Sequence, residues 1–559
     1  MTARRATIVA GLAFALVATT PTLAAAQQWG VGQPRGDLGR QVLAENDGWA
    51  SAEGGTTGGA AATVDNVFHV STWQEFRTAL GGGGNAARTN TEPRIIYVHG
   101  ELNAFEAADG TMTTCATFEE ETGFSQAAYI EAFDPYGPWG WKDPEGELVD
   151  LQAAAANAQA LQTQQHIGSN KTIIGVGDDA RIVGANLRIR DADNVIVRNL
   201  TVSDSTDCFP EWDPGDTASG NWNSRYDNIS VWTSTHVWID HNTLDSGDLP
   251  PDALASVYGR PYEVHDGLLD ITHSSDLVTV SYNRFEPHDK TMLIGSSDGR
   301  TADRGTLRVT LHHNKWTDIG QRAPRVRYGQ VDLYNNYYVQ TGPYDWYSYY
   351  WGVGRESALY AENNYIQLDP ANDASTIIAK WGGVAMTEIG TRVNGKKVSA
   401  LGAYNAANPT DTIGDAPGGC HSTASRSTRR CRSRRRSSCA RARERSADGG
   451  GRPVPDRAAP HQLTDHQQQV ATFHRLGVLR RHPLHRARDG RGDGRLHLHR
   501  LDGRHLVADR NGVTRRDGQR DHARERRGHL ARVRRVGQIG GDDVALDRGV
   551  PHHDLATAC

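Results

Sequence analysis

The chain has 559 residues, enough for a large core and more than one domain, with a formal charge of −5 and six cysteines. That charge conceals two unlike regions: residues 1–419 carry 29 basic and 51 acidic side chains, a net of −22, and residues 420–559 carry 32 and 15, a net of +17. The single total therefore says nothing about partners, and after the N-terminus no segment is long and apolar enough to span a bilayer.

The first 26 residues read as an export signal. Arg4 and Arg5 precede the apolar run ATIVAGLAFALVATTPTLA, and Ala24 to Ala26 offer a small-x-small cleavage pattern, so the mature chain is expected to begin near Gln27. A membrane anchor fits less well, because Thr19, Thr20 and Pro21 interrupt the run and no basic flank follows it. The reading is a secreted, extracellular protein. TWQEFRTAL (72–80) has helical spacing. Cys115 and Cys208 are the two cysteines of the acidic region, and in an oxidising compartment they can pair. Sequence alone leaves that pairing open.

From residue 194 short β-rich segments recur: NVIVRNLTV (194), HVWIDHNTL (236), LVTVSYNRF (277), LRVTLHHNKW (307), QVDLYNNYY (330) and ALYAENNYI (358). Their asparagines, Asn199, Asn242, Asn283, Asn314, Asn336 and Asn364, lie 43, 41, 31, 22 and 28 residues apart. The shortest gap fits one coil of a parallel β-solenoid, and the longer ones fit a coil plus a loop insertion. The asparagines are expected to stack at one corner, each amide bonding to backbone, with the helix at 72–80 capping the open end. An antiparallel sandwich is disfavoured: the segments resemble one another, and hairpin dipeptides such as Asn-Gly are lacking between them. Residues 27–418 thus read as one all-β domain.

Next in chain order is QRAPRVRYG (321–329), which holds Arg322, Arg325 and Arg327 with no acid between them. Like charges this close call for an anion. Strand alternation puts Arg325 and Arg327 on one face, while Pro324 denies Arg322 a parity. From about His421 the composition changes: no Lys, Tyr, Trp or Met follows, and Phe473 is the one Phe. Residues 419–559 are expected to form no compact fold, because they cannot bury enough apolar area to offset chain entropy. They read either as a natural basic tail that clings to acidic polymers or as a GC-rich gene translated out of frame. The second is favoured: Arg in place of Lys, with Ala, Gly, Pro and His, is what GC-rich codons yield in a wrong frame. Resequencing across codons 410–425 decides between them.

The motifs VWIDHN (237–242), HDGLLD (265–270), SYNRFEPHDKTMLIGSSD (281–298) and LHHNKWTDIGQRAPRVRYG (311–329) carry a specific resemblance, joined by GGTTGG (54–59) and IIYVHGEL (95–102). From about Gly54 to Tyr365 the chain resembles the family 1 pectate lyases; residues 420–559 match nothing. The resemblance implies a right-handed parallel β-helix that uses calcium to cleave α-1,4-polygalacturonate by β-elimination, giving 4,5-unsaturated oligogalacturonides. It also implies roles. Asp227, Asp266 and Asp270 match the calcium ligands, Arg322 the base, and Lys290 and Arg327 the groups that grip substrate carboxylates.

Physical chemistry supports these assignments and marks their difficulties. Calcium takes six to eight hard oxygen ligands, yet a straight strand sets Asp266 and Asp270 about 13 Å apart, so Gly267 is expected to supply a bend. A cation on the C6 carboxylate stabilises the charge left when the C5 proton departs. Arginine is normally always charged, so Lys290, Arg325, Arg327 and the metal are expected to push Arg322 down, with an alkaline optimum as the consequence. Lys290 stays open as a rival base, and Arg325 is a further substrate-binding candidate. His241, His265, His273, His288, His312 and His313 do not repeat a metal-ligand spacing and, like Asp240, read as structural. Asn228-Ile229-Ser230 is a formal glycosylation sequon. A pectin lyase would not need the acids, a purely binding solenoid would show a broken constellation, and a hydrolase needs paired carboxylates at the cleavage point. The partner assigned is polygalacturonate, with no nucleic acid, no membrane, and a monomeric protein.

Overall fold

The computed structural model describes residues 37–416. The export signal and the basic region 419–559 lie outside the described residues. Within them, consecutive β-segments pair in parallel, coil upon coil, and form three faces of a parallel β-helix. One face stacks Asp193–Arg198, Thr235–Asp240, Asp276–Ser281, Arg308–His312, Gln330–Tyr334 and Ala358–Glu362. A second stacks short strands, from Thr201–Ser203 to Tyr365–Gln367. The third is an eight-stranded sheet running in chain order from Gln164–Ile167 to Ile378–Trp381.

Alternation dictates which side chains enter the coil. On the first face Val195, Val237, Val278, Val309, Val331 and Leu359 stand in register, each at most 1 % exposed. Branched residues suit this pleated, stacked position. Inside the second face the rings of Phe285 and Trp316 stack at 4.0 Å.

The corner between the first two faces takes two residues in every coil, from 199–200 to 363–364. Its second residue builds the expected ladder. The Nδ2 groups of Asn242, Asn283, Asn314 and Asn336 each donate to the next asparagine's Oδ1, at 3.0, 3.2, 3.0 and 3.2 Å. Each also donates to a backbone carbonyl, those of Val197, Ile239, Val280 and Leu311. One expected member is displaced. Register sets Arg198 against Asp240, so Leu200 faces Asn242, and the Leu200 N–H donates to Asn242 Oδ1. Asn199 instead occupies the corner's first position, where backbones are left-handed: φ is 54° at Asn199 and His241, 56° at Tyr282 and His313, and 55° at Asn335 and Asn363. Asparagine tolerates that conformation well. Bulky residues there are braced by stacking, with His241 on Tyr282 and Tyr282 on His313, both at 4.8 Å.

The joins into the eight-stranded sheet behave differently. Those following the second face vary from 286–292 to 204–228 and 246–268. A further insertion carries three helices the sequence reading did not anticipate, Cys115–Thr122, Gln126–Ala132 and Glu147–Thr163. They share an aromatic cluster with Phe209, Trp212 and Trp222, and a Cys115–Cys208 disulfide, Cα–Cα 5.3 Å, ties the two segments together. The expected early helix is present as Trp73–Ala79. Its N-cap Thr72 accepts from Glu75 N–H, and Trp73, Phe76 and Ala79 are buried in the main core. No helix among the described residues is long and apolar enough to cross a membrane.

Candidate active site

Three carboxylates converge where the eight-stranded sheet meets its longest connections. Asp227 lies just before the strand Ile229–Trp232, Asp270 sits within Leu269–Thr272, and register sets Ser230 against Asp270. Asp266 arrives from the preceding loop, its N–H donating to Tyr226 O at 3.0 Å. Ligand atoms of all three lie within 4.8 Å of one another. The straight-strand separation does not apply, because residues 266–268 precede the strand. Gly267 is needed for room rather than for a bend: a Cβ there would stand 2.7 Å from Asp270 Oδ1 and 2.8 Å from Asp227 Oδ1.

The cluster is acidic, with Asp227 buried and Asp266 and Asp270 half-buried, and only partly satisfied. Asp227 Oδ1 accepts from Gly267 N–H at 2.9 Å and Oδ2 from the Ser230 hydroxyl at 2.6 Å. Asp270 Oδ1 accepts from Leu293 N–H at 2.8 Å. Burial, and then the neighbouring Asp266 charge, push Asp227 up to about 7. Burial, Asp227 and Asp266 raise Asp270 well above the usual carboxylate range. Such a site gains from a cation among its oxygens. Among the described residues it is the one group of three or more His, Cys, Asp or Glu whose ligand atoms meet this closely.

Cationic side chains flank it, with partners that sequence did not reveal. Lys290 Nζ donates to Glu263, and both side chains are 12 % exposed. Burial pulls Lys290 down, but Glu263 and Asp266 outweigh it and the net direction is up. Glu263 is itself raised, because burial costs its charge more than Lys290 returns. Arg327 Nε donates to Asp298 Oδ1 at 2.7 Å, and Nη1 to the Gly295 and Ser296 carbonyls at 3.1 Å. The Arg325 guanidinium lies 4.4 Å from the Trp381 ring centroid, and burial, then Arg327, pulls it down to about 10. Arg325 and Arg327 flank the inward-facing Val326, as alternation required.

Arg322 has a left-handed backbone, φ 58°, and its buried Nε has no hydrogen-bond partner. Its electrostatics correct the sequence expectation. Burial does act to lower it, but Asp266, then Tyr349, Asp270 and Asp289, hold it above its ordinary value. In the folded chain alone, the facing acids outweigh the neighbouring cations. Glu263, Asp289 and Tyr349 are therefore site residues that sequence reasoning missed. Glu263, Asp266, Asp289 and Lys290 also line a cleft walled by Trp346 and Leu254.

The histidines hold structural posts. His288 Nε2 donates to Asp266 O at 2.7 Å, and its Nδ1 accepts from the Ser246 hydroxyl at 2.7 Å; burial pulls the ring down to about 3 and keeps it neutral. His265 pairs with Asp204 at 2.9 Å, and His273 stacks on Trp232. Asp240 pairs with buried Arg198 at 2.8 Å.

A parallel β-helix carrying this acidic cluster and its flanking cations on one sheet defines the class, a β-helix enzyme. A family model described as pectate lyase matches residues 146–428. A pectate lyase of Bacillus subtilis is 42 % identical over 370 residues, covering 66 % of this chain and 86 % of that relative. Among solved structures, the thermostable pectate lyase PL 47 is 44 % identical with a TM-score of 0.66, covering 68 % of this chain and 92 % of that one. A pectate lyase bound to a hexasaccharide is 39 % identical with a TM-score of 0.65, covering 70 % and 95 %. The chain belongs to the pectate lyase family.

Proposed function

We propose that this protein is a secreted, calcium-dependent pectate lyase that cleaves α-1,4-polygalacturonate by β-elimination and leaves 4,5-unsaturated oligogalacturonides. The carrying observation is the convergence of Asp227, Asp266 and Asp270 within 4.8 Å, beside a half-buried arginine, Arg322, on which Asp266 and Asp270 act.

Calcium suits this donor set. The oxygens are hard, Asp227 and Asp270 have raised proton affinity, and Gly267 keeps the cradle open. Asp227, Asp266 and Asp270 would hold the ion. Bound there, it supplies positive charge that draws electron density from a substrate carboxylate and makes the adjacent C5–H acidic. Lys290 and Arg327 exchange Glu263 and Asp298 for substrate carboxylates and orient the sugar. Arg322 takes the C5 proton, the C4–C5 double bond forms as the C4–O4 bond breaks, and the departing O4 takes a proton from water. Neutralising Asp266 and Asp270 removes what keeps Arg322 charged, leaving burial and the neighbouring Arg325 to lower it. Even so, neutral arginine is scarce at pH 7, so an alkaline optimum is expected.

The Cys115–Cys208 disulfide fits an oxidising compartment, and we read the helix Trp73–Ala79 as the cap of the coil's open end. The test is to mix the purified protein with polygalacturonate, with calcium or with a chelator. Ultraviolet-absorbing unsaturated products that vanish on chelation support the reading. Activity surviving chelation points to calcium-free elimination, and saturated products point to hydrolysis.

A further inference from the structure

Two strands toward the N-terminus from Asp270, the eight-stranded sheet carries a second charged patch that the mechanism does not use. In the strand Asn186–Arg190 the outward residues are Arg188 and Arg190. Register sets Arg188 beside Ser230 and Arg190 beside Trp232, and Ser230 in turn beside Asp270. The backbones of Arg188 and Asp270 are thus about 10 Å apart across the strands. The Arg190 guanidinium lies 4.8 Å from the Trp232 ring centroid and that of Arg188 5.8 Å. His273 stacks on the same ring at 3.6 Å, so Trp232 is a platform that fixes guanidinium groups.

Positive charge predominates here, although Asp227 of the acidic cluster also acts on Arg188. Arg88 and His166 join the two arginines, and one acid, Asp191, is shared by Arg88 at 2.9 Å and Arg190 at 3.7 Å. Burial, then Arg188, Arg190 and Arg88, pull His166 down to about 4, so the arginines carry the charge at neutral pH. Donor capacity is left over: the Nε groups of Arg88 and Arg190 are buried without hydrogen-bond partners. Arg190 nevertheless keeps 34 % of its side chain exposed. Arg188 Nη1 is matched by Gln164 Oε1 at 3.0 Å and Arg88 by Asp191; Arg190, 3.7 Å from Asp191, is the loosest held of the three.

We propose that Arg188 and Arg190, seated on Trp232, form a distal subsite for a carboxylate of a polyuronate chain that runs across the strands, beyond the sugars at the acidic cluster. The proposal rests on the lyase reading and extends it to how the enzyme grips long chains. The test uses the full-length protein with calcium and compares tri- with hexagalacturonate, for wild type and Arg190→Gln. Losing one charge-assisted contact is expected to raise KM for the hexamer about tenfold and to shrink its kcat/KM advantage over the trimer. Arg190→Lys should recover part of that advantage, which a merely structural change would not show, and thermal midpoints of both variants report any loss of fold. An unaltered hexamer-to-trimer ratio in Arg190→Gln overturns the proposal and leaves the patch as packing. If wild type makes no unsaturated product from either oligomer, the lyase reading fails instead. Hexagalacturonate affinity by calorimetry, wild type against Arg190→Gln, still decides the subsite in that event.

Discussion

At the asparagine corner Asn242, Asn283, Asn314 and Asn336 each give both Nδ2 protons to fixed acceptors, one on the next side chain and one on the backbone. On the eight-stranded face of the same coils, Asp227 and Asp270 crowd each other, and Arg322 and Arg325 bury Nε groups without partners. Both regions are polar and largely buried. One has its bonding closed within the protein, so it stabilises; the other leaves capacity open toward a ligand, and that costs stability. Buried polarity by itself does not mark a functional site. Unsatisfied buried polarity of one sign, facing the opposite sign, does.

Four experiments bear on that contrast. The largest effect is expected from Arg322→Lys. Turnover, followed by product absorbance, should fall about 10³-fold, while oligogalacturonate still binds by calorimetry. Retained turnover would move the base to Lys290. Gly267→Ala comes next: a Cβ pressed against Asp227 and Asp270 should weaken calcium binding by about 10- to 100-fold, measured by titration calorimetry. Unchanged affinity would mean that the three acids are not the ligands. Asn314→Leu addresses the closed region. It strips acceptors from Asn283 and a donor from Val280 O, so unfolding free energy should drop by about 2 kcal/mol in denaturant melts. Calcium affinity should stay as in wild type; a loss there would mean that corner and site are coupled.

The smallest effect concerns pH. Asp332 is buried on the first face, where burial, then Glu362, pushes it up to about 8. A carboxyl raised in the folded state favours folding below its unfolded value near 3.8. That advantage is lost as pH rises toward 8, because the folded protein binds the extra proton. Asp332→Asn should therefore melt a few degrees above wild type at pH 9, with the gap closing toward pH 5. A gap that does not change with pH would assign the effect to packing.

Much of this was legible, for identifiable reasons. The coils announce themselves through Val195, Val237, Val278 and Val309 at equivalent places, and a recurring Asn marks the corner. Asn199 misleads by one residue because asparagine suits both corner positions, the left-handed one and the ladder; only strand register separates them. HDGLLD points to the acids, but straight-strand arithmetic fails where the chain turns before Leu269. The partners of Lys290 and Arg327 were out of reach. Glu263 and Asp298 lie 27 and 29 residues away, in connections whose paths no periodicity fixes. For the same reason the sign of the field at Arg322 was misjudged: the sequence displays the three arginines together and scatters the acids they face. The helix Glu147–Thr163 did leave a signal, since ELVDLQAAAANAQALQT is rich in alanine.

Each coil crosses the asparagine corner in two residues, while the connections entering the eight-stranded sheet differ widely in length. Chain added at that second seam carries a modest entropic cost and shifts no neighbour's pairing, because the ladder restores the frame before the next turn begins. The cleft walls, Leu254 and Trp346 among them, hang from this seam. Depth and reach of the cleft are therefore adjustable by insertion or deletion, over a floor whose geometry is set elsewhere.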